Sequence, residues 1–172
     1  WDQAGEAVSP DGRYLTFTSG GDPKTKADLW ILPLFGERKP IPFLRTEFVE
    51  ASGTFSPDSR WIVYQSDETG RSEIYARLLD GSGGKIQVST NGGRRPIWKA
   101  DPRRLYFSSI DRKLQVAYVN AGATSLTVDS VRALFDYESR GIVPNTLEDV
   151  SSDGKLFLAT ITESKRTSAP IT

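Results

Sequence analysis

An all-β fold, a β-propeller of four-stranded antiparallel blades, is what this sequence predicts, and two periodicities predict it. A Pro-Asp turn feeds an apolar, β-branched and aromatic strand in FSPDSRWIVYQS, Phe55 to Ser66. A near copy, VSPDGRYLTFTS, runs from Val8 to Ser19, and weaker copies follow as WKADPRRLYFSS (Trp98 to Ser109) and VSSDGKLFLAT (Val150 to Thr160). The turn aspartates Asp11, Asp58, Asp101 and Asp153 are thus 47, 43 and 52 residues apart. A second marker, the strands opening at Asp28 (DLWILPL), Glu73 (EIYARLL) and Lys113 (KLQVAYV), recurs after 45 and 40 residues. Repeats of about 40 to 50 residues holding several short strands have the spacing of propeller blades, and these segments lack the 3.6-residue apolar period of helical repeats.

Blade one, residues 1–45, opens with an inner strand from Trp1 to Val8 and a turn, Ser9-Pro10-Asp11-Gly12. Pro presets φ, Asp bonds the backbone ahead of it, and Gly takes a left-handed conformation without steric cost. Strands follow at Arg13 to Ser19, Asp28 to Leu34 and Lys39 to Leu44, the last an edge strand because Pro40 and Pro42 cannot donate to a ladder. Blade two, residues 50–90, repeats the order with strands at 51–55, 60–66, 72–79 and 85–90, its turn built on Pro57 and Asp58. Blade three, residues 94–136, has strands at 95–99, 104–109, 113–120 and 131–135, with a Gly/Ala/Thr-rich connection from Ala121 to Ser130. A short helix over Ser130 to Tyr137 is the rival reading there, opposed by its brevity. Blade four, residues 145–172, holds an inner strand, a turn at Asp153-Gly154 and a strand at 155–160; the blade-one interval puts its third strand at Pro170, near the end of the chain. The reading is therefore one partial propeller of about three and a half blades, an excised segment of a ring of about six to eight, with the remaining blades as its partner. The outer faces of its first and last blades are expected to be exposed and apolar.

Composition narrows the chemistry. With 37% apolar residues the 172-residue chain supports a packed core. Basic and acidic residues balance at 22 each, so no global field draws polyanions, and nucleic acid is not an expected partner. No apolar run approaches the roughly 18 to 20 residues that cross a bilayer, so no membrane insertion is expected in this segment. Cysteine and histidine are absent, which removes disulfides, zinc-thiolate sites, thiol nucleophiles and Ser-His pairs.

The remaining motifs read as structure. No Gly-x-Ser-x-Gly elbow is present, and Ser9 and Ser56 belong to turns. The GSGGK run at Gly81 to Lys85 lacks the first glycine and the final Ser or Thr of a phosphate loop, having Leu79 and Ile86 in those places. The neighbouring carboxylates Asp67-Glu68 and Glu148-Asp149 read as solvated loop charges, and since adjacent residues on a strand point to opposite faces, neither pair is arranged for acid/base work without partners from other blades. No EF-hand ladder of calcium ligands occurs. No catalytic residue, metal site or cofactor is expected. Seven basic residues between Arg94 and Lys113, against two acidic ones, read as a solvated blade edge.

Binding in such a ring belongs to the loops where the inner strands enter the central channel. Equivalent rim positions, eight to six residues before each turn aspartate, differ between blades, and Glu50, Arg94, Arg95 and Asn145 are the candidate ligand-binding residues among them.

The segments VSPDGRYLTFTS, DLWILPLFGERKPIPFL, FSPDSRWIVYQSDETGRSEIYARLL, GGKIQVSTNGG and VSSDGKLFLAT resemble the WD40-like repeats of TolB-type β-propellers. In order and wording they look most like the C-terminal propeller of bacterial membrane-bound serine/threonine protein kinases. The likeness spans nearly the whole chain, with Ala100-Asp101-Pro102 in blade three and Ser152 in blade four departing from the Pro-Asp-Gly pattern. It implies a non-catalytic recognition module for a protein or small ligand, acting as the sensory or interaction domain of a kinase-like protein and lying in the periplasm or outside the cytoplasm. The kinase motifs themselves are absent, so any kinase chemistry lies outside this segment. The alternatives are an accessory propeller of a prolyl-oligopeptidase-like peptidase and a TolB-like periplasmic scaffold.

Overall fold

The computed structural model describes residues 3–99, 101–151 and 153–161. Trp1, Ala100, Ser152 and the expected third strand of blade four at Pro170 lie outside the described residues. Strands β1 (Gln3–Val8), β2 (Tyr14–Asp22), β3 (Lys26–Pro33) and β4 (Ile41–Leu44) form the first antiparallel sheet in the order of the chain. The second is β5 (Glu50–Phe55), β6 (Trp61–Ser66), β7 (Glu73–Leu78) and β8 (Ile86–Gln87), and the third β9 (Arg94–Trp98), β10 (Arg104–Ser108), β11 (Lys113–Ala121) and β12 (Leu126–Asp136). A two-stranded sheet of β13 (Ile142–Val150) and β14 (Phe157–Ile161) completes the described chain. Sequential meanders of this kind, stacked face to face, are the blades of a propeller.

Burial explains the sequence of the middle blades. In β6, Trp61 and Val63 face the third sheet, where they meet Trp98, Leu105 and Phe107, while Ile62 and Tyr64 face the first, where they meet Leu29 and Ile31. A strand covered on both sides loses the apolar/polar alternation of a half-buried one, hence the unbroken WIVY run. The third sheet turns Tyr106, Leu114 and Val116 to the fourth, against Val150 and Phe157. Close approach fixes two glycines: a Cβ on Gly53 would lie 2.7 Å from Leu29 Cδ1, and one on Gly93 2.6 Å from Ile74 Cγ1. On the far face of the fourth sheet no further sheet follows among the described residues, and Leu156 and Leu158 are 72% and 63% exposed.

The turn aspartates close their hairpins by one repeated network. Asp58 Oδ1 accepts the Ser56 hydroxyl at 2.6 Å and the Arg60 N–H at 3.1 Å, while Ser56 Oγ accepts the Trp61 N–H at 2.9 Å. Ser9 and Asp11 do the same for Arg13 and Tyr14, and Ser151 and Asp153 for Lys155 and Leu156. Gly12 and Gly154 take φ of 71° and 72° beside Pro10 and Asp153, and Ser59, after Pro57 and Asp58, takes 61°. At Asp101 the turn accepts the Arg103 N–H at 2.9 Å, with Lys99 where the others have serine. A further copy, Ser109 to Asp111, closes the β10–β11 hairpin.

The outer strand of the third sheet differs from the expectation. The connection expected from Ala121 to Ser130 is a tight turn of four residues in which Gly122 N–H reaches the Ser125 carbonyl at 2.8 Å, and β12 runs for 11 residues from Leu126. Small and β-branched residues there disguised a strand that Leu126, 5% exposed, anchors in the core. Ser130 to Asp136 is strand, not helix; the one helical turn among the described residues is a 3₁₀ turn at Glu138–Arg140. The fourth inner strand starts at Ile142, three residues ahead of the expected start at Asn145.

Candidate functional site

The innermost strands β1, β5, β9 and β13 share a local distortion. Six residues before each turn aspartate stand Gly5, Ser52, Arg95 and Leu147, and the ladder slips at or beside each: between Gly5 and Ala7, between Ala51 and Thr54, opposite Tyr106 and Ser108, and between Leu147 and Asp149. Such bulges bend a strand and re-aim a side chain. Ser52 and Arg95 hold left-handed backbone, at φ of 55° and 50°. For a residue other than glycine this costs about 1–3 kcal/mol, which the surrounding structure must offset. At Arg95 part of that support is the Gln65 side chain, whose amide oxygen accepts the Arg95 N–H at 3.1 Å.

Two concavities are lined by this arginine. One, of about 540 Å³, is the wall formed by all four inner strands, including Ala7, Ser52, Thr54, Arg95, Lys99 and Glu148. The other, of about 530 Å³, lies at the rim between the second and third sheets and includes Gln65, Asp67, Arg71, Arg94 and Arg95. Arg95 lines both.

The four rim residues picked out by spacing have different surroundings. Arg94 and Arg95 are exposed at the start of β9. Asn145 lies within β13. Glu50 begins β5 but is 2% exposed, so it sits behind the rim rather than on it. Its Oε1 accepts the Thr46 hydroxyl at 2.5 Å, and its Oε2 is buried without a hydrogen-bond partner among the described residues. Desolvation raises its pKa above the usual carboxylate value, the charges of Asp28 and Asp67 push it the same way, and the Thr46 bonds pull it back. Among the described residues no three acidic side chains are arranged to hold a metal ion.

The basic run from Arg94 to Lys113 divides in space. Lys99 pairs with Asp149 at 3.2 Å, Arg104 with Asp101 at 2.9 Å, Lys113 with Asp111 at 2.8 Å, and Arg112 with Glu138. Arg103, on the turn at Asp101, has no such ion pair among the described residues, nor do Arg94 and Arg95. Spacing could locate these two but not Gln65 or Arg71, which reach the rim from the neighbouring blade. The polar Gln65 following the apolar WIVY run was the one hint.

No protein-family model matches the chain. No curated protein sequence matches it either. Among solved structures, a putative TolB from Agrobacterium tumefaciens superimposes with a TM-score of 0.60 at 19% identity, over 77% of this chain and 50% of that one. TolB from Acinetobacter baumannii gives a TM-score of 0.61 at 17% identity, over 92% of this chain and 38% of that one. The chain therefore spans half or less of the length of these structures. At such identities the likeness speaks for architecture, and that architecture is the stacked antiparallel blades of a TolB-like β-propeller.

Proposed function

We propose that this chain is a non-catalytic recognition module, part of a propeller ring that binds a protein or small ligand at the mouth of its channel. The observation that carries this reading is the position of Arg95, held in strained backbone and lining both the rim pocket and the concavity of the inner strands. Backbone strain of this kind concentrates where a side chain is held for binding. The site comprises Arg94 and Arg95, with Asn145 on the fourth inner strand and Glu50 as a buried support. Blades at 1–45, 50–90, 94–136 and 145–172 make up the segment, and further blades close the ring.

The TolB-like architecture favours an extracytoplasmic location and a scaffold role in bacteria. The wording of the repeats favours attachment to a membrane-bound serine/threonine kinase-like protein, with the propeller as its sensory or interaction domain. Among the described residues no helix is long and apolar enough to cross a membrane.

The test is site-specific photocrosslinking in cells from position 94 of the full-length protein, with Arg38, an exposed residue before the β4 edge, as the control position. A discrete crosslinked partner from position 94 that is lost in Arg95→Glu supports the reading. Equal products from positions 94 and 38 would overturn it, as would substrate turnover by the purified chain.

A further inference from the structure

The rim pocket has an uneven charge distribution. Its one carboxylate is engaged: Asp67 Oδ1 accepts the Val49 N–H at 2.8 Å, and Oδ2 lies 3.8 Å from Lys26 Nζ. Its Arg71 is engaged too, with Nε 2.7 Å from Oε1 of the fully buried Glu73 and a terminal nitrogen on the Thr90 carbonyl. Arg94 and Arg95 are left exposed with no carboxylate partner among the described residues; adjacent side chains of a regular strand face apart, but Arg95 sits in the bulge at φ of 50°, and both residues line this pocket. Lys99, Arg104, Arg112 and Lys113, downstream in the same blade, each have a carboxylate partner, and Arg103, which has none among the described residues, does not line the pocket. Gln65 adds a donor: with its amide oxygen committed to the Arg95 N–H, its NH2 group remains available.

A pair of guanidinium forks beside an amide NH2 suits a carboxylate, which takes two parallel hydrogen bonds from one arginine. Asp67 argues against a more highly charged anion. Its carboxylate in the same pocket repels a phosphate dianion, yet it can accept an N–H, which a peptide supplies. The balanced charge of the chain likewise provides no field to concentrate polyanions.

We propose that the rim pocket binds an acidic peptide segment, with Arg94 and Arg95 clamping a Glu or Asp carboxylate, Gln65 donating beside them, and Asp67 accepting a peptide N–H. This rests on the recognition role proposed above and assigns its ligand class.

The test is an NMR titration of the ¹⁵N-labelled full chain, following the arginine Nε–H resonances, with three probes: acetyl-Ala-Glu-Ala-Glu-Ala-amide, its Gln counterpart, and inorganic phosphate. The expected result is saturable movement of the Arg94 and Arg95 resonances with the Glu peptide. Affinity should be at least tenfold weaker for the Gln peptide and at least tenfold weaker in Arg94→Gln or Arg95→Gln. Arg94→Gln leaves the strained position untouched, so it decides the matter if Arg95→Gln disturbs the backbone amide spectrum. Equal affinity for the Gln peptide, tighter binding of phosphate, or no movement at Arg94 and Arg95 would each refute the proposal. A crosslinked partner from position 94 together with any of those results removes the acidic ligand class and leaves the recognition role standing.

Discussion

The Trp61 indole N–H donates to the Gly122 carbonyl at 3.0 Å, joining the second sheet to the tight turn between β11 and β12 of the third. Trp61 is 1% exposed, so this bond and the ring's packing act at the same interface. Trp61→Phe removes the donor and part of the ring, and a loss of about 2–3 kcal/mol follows from a lost hydrogen bond plus a partial cavity. Urea denaturation of the chain measures it. A loss under about 0.5 kcal/mol, the range of surface substitutions, would show that this interface adds nothing to cooperativity.

Ser56 occupies the centre of the turn network, giving its proton to Asp58 and taking the Trp61 N–H. It is 1% exposed, so Ser56→Ala strands a buried donor, at about 1–3 kcal/mol. The corresponding bonds of Ser151 are exposed, and water can replace them. Ser151→Ala is thus expected to cost less, and parallel denaturation of the two variants checks the order.

Glu50 makes stability depend on pH in an unusual direction. Because its folded-state pKa is raised, the Glu50 carboxyl binds more protons in the native protein than in the unfolded chain between the ordinary value of 4.5 and that raised pKa. Stability from this group is therefore present below the ordinary value and lost as pH rises through the folded pKa. Asp11 and Asp153, whose pKa values their serine hydrogen bonds lower, act in the opposite sense, losing stability as pH falls. The difference in unfolding free energy between Glu50→Gln and wild type isolates Glu50. It should move in favour of the variant as pH rises from about 4.5, and a flat difference between pH 4 and 8 would contradict the assignment.

Leu158 points away from the fourth sheet's partner, since Phe157 and Ala159 on either side turn toward the third sheet. An exposed apolar sheet face recruits another surface. The purified chain is expected to self-associate, and Leu156→Glu with Leu158→Glu to shift it toward monomer in sedimentation with stability changed by no more than about 0.5 kcal/mol. Identical sedimentation of the two proteins would show that association, if any, uses another face.

The periodic part of the fold was legible because each blade spells the same turn chemistry and the same apolar strand. What escaped were features set by the neighbouring blade. The burial of Glu50 depends on how β5 lies on β3, and the strand character of 126–130 depends on a core that Leu126 reaches from outside the repeat pattern. The site was legible only as positions. Counting back from Asp101 finds Arg94 and Arg95, but the bulge arises from strand pairing, and the pocket they line takes Gln65 and Arg71 from another sheet.

Because the second and third sheets are sandwiched while the last, among the described residues, packs on one neighbour only, the chain should assemble from its middle outward. Repeat arrays can nucleate anywhere, and the interface between β6, β7 and β10 offers the largest early reward. Amide exchange should then be slowest at Val63, Ile74 and Phe107 and fastest in β14, so that the last sheet orders only once something covers it.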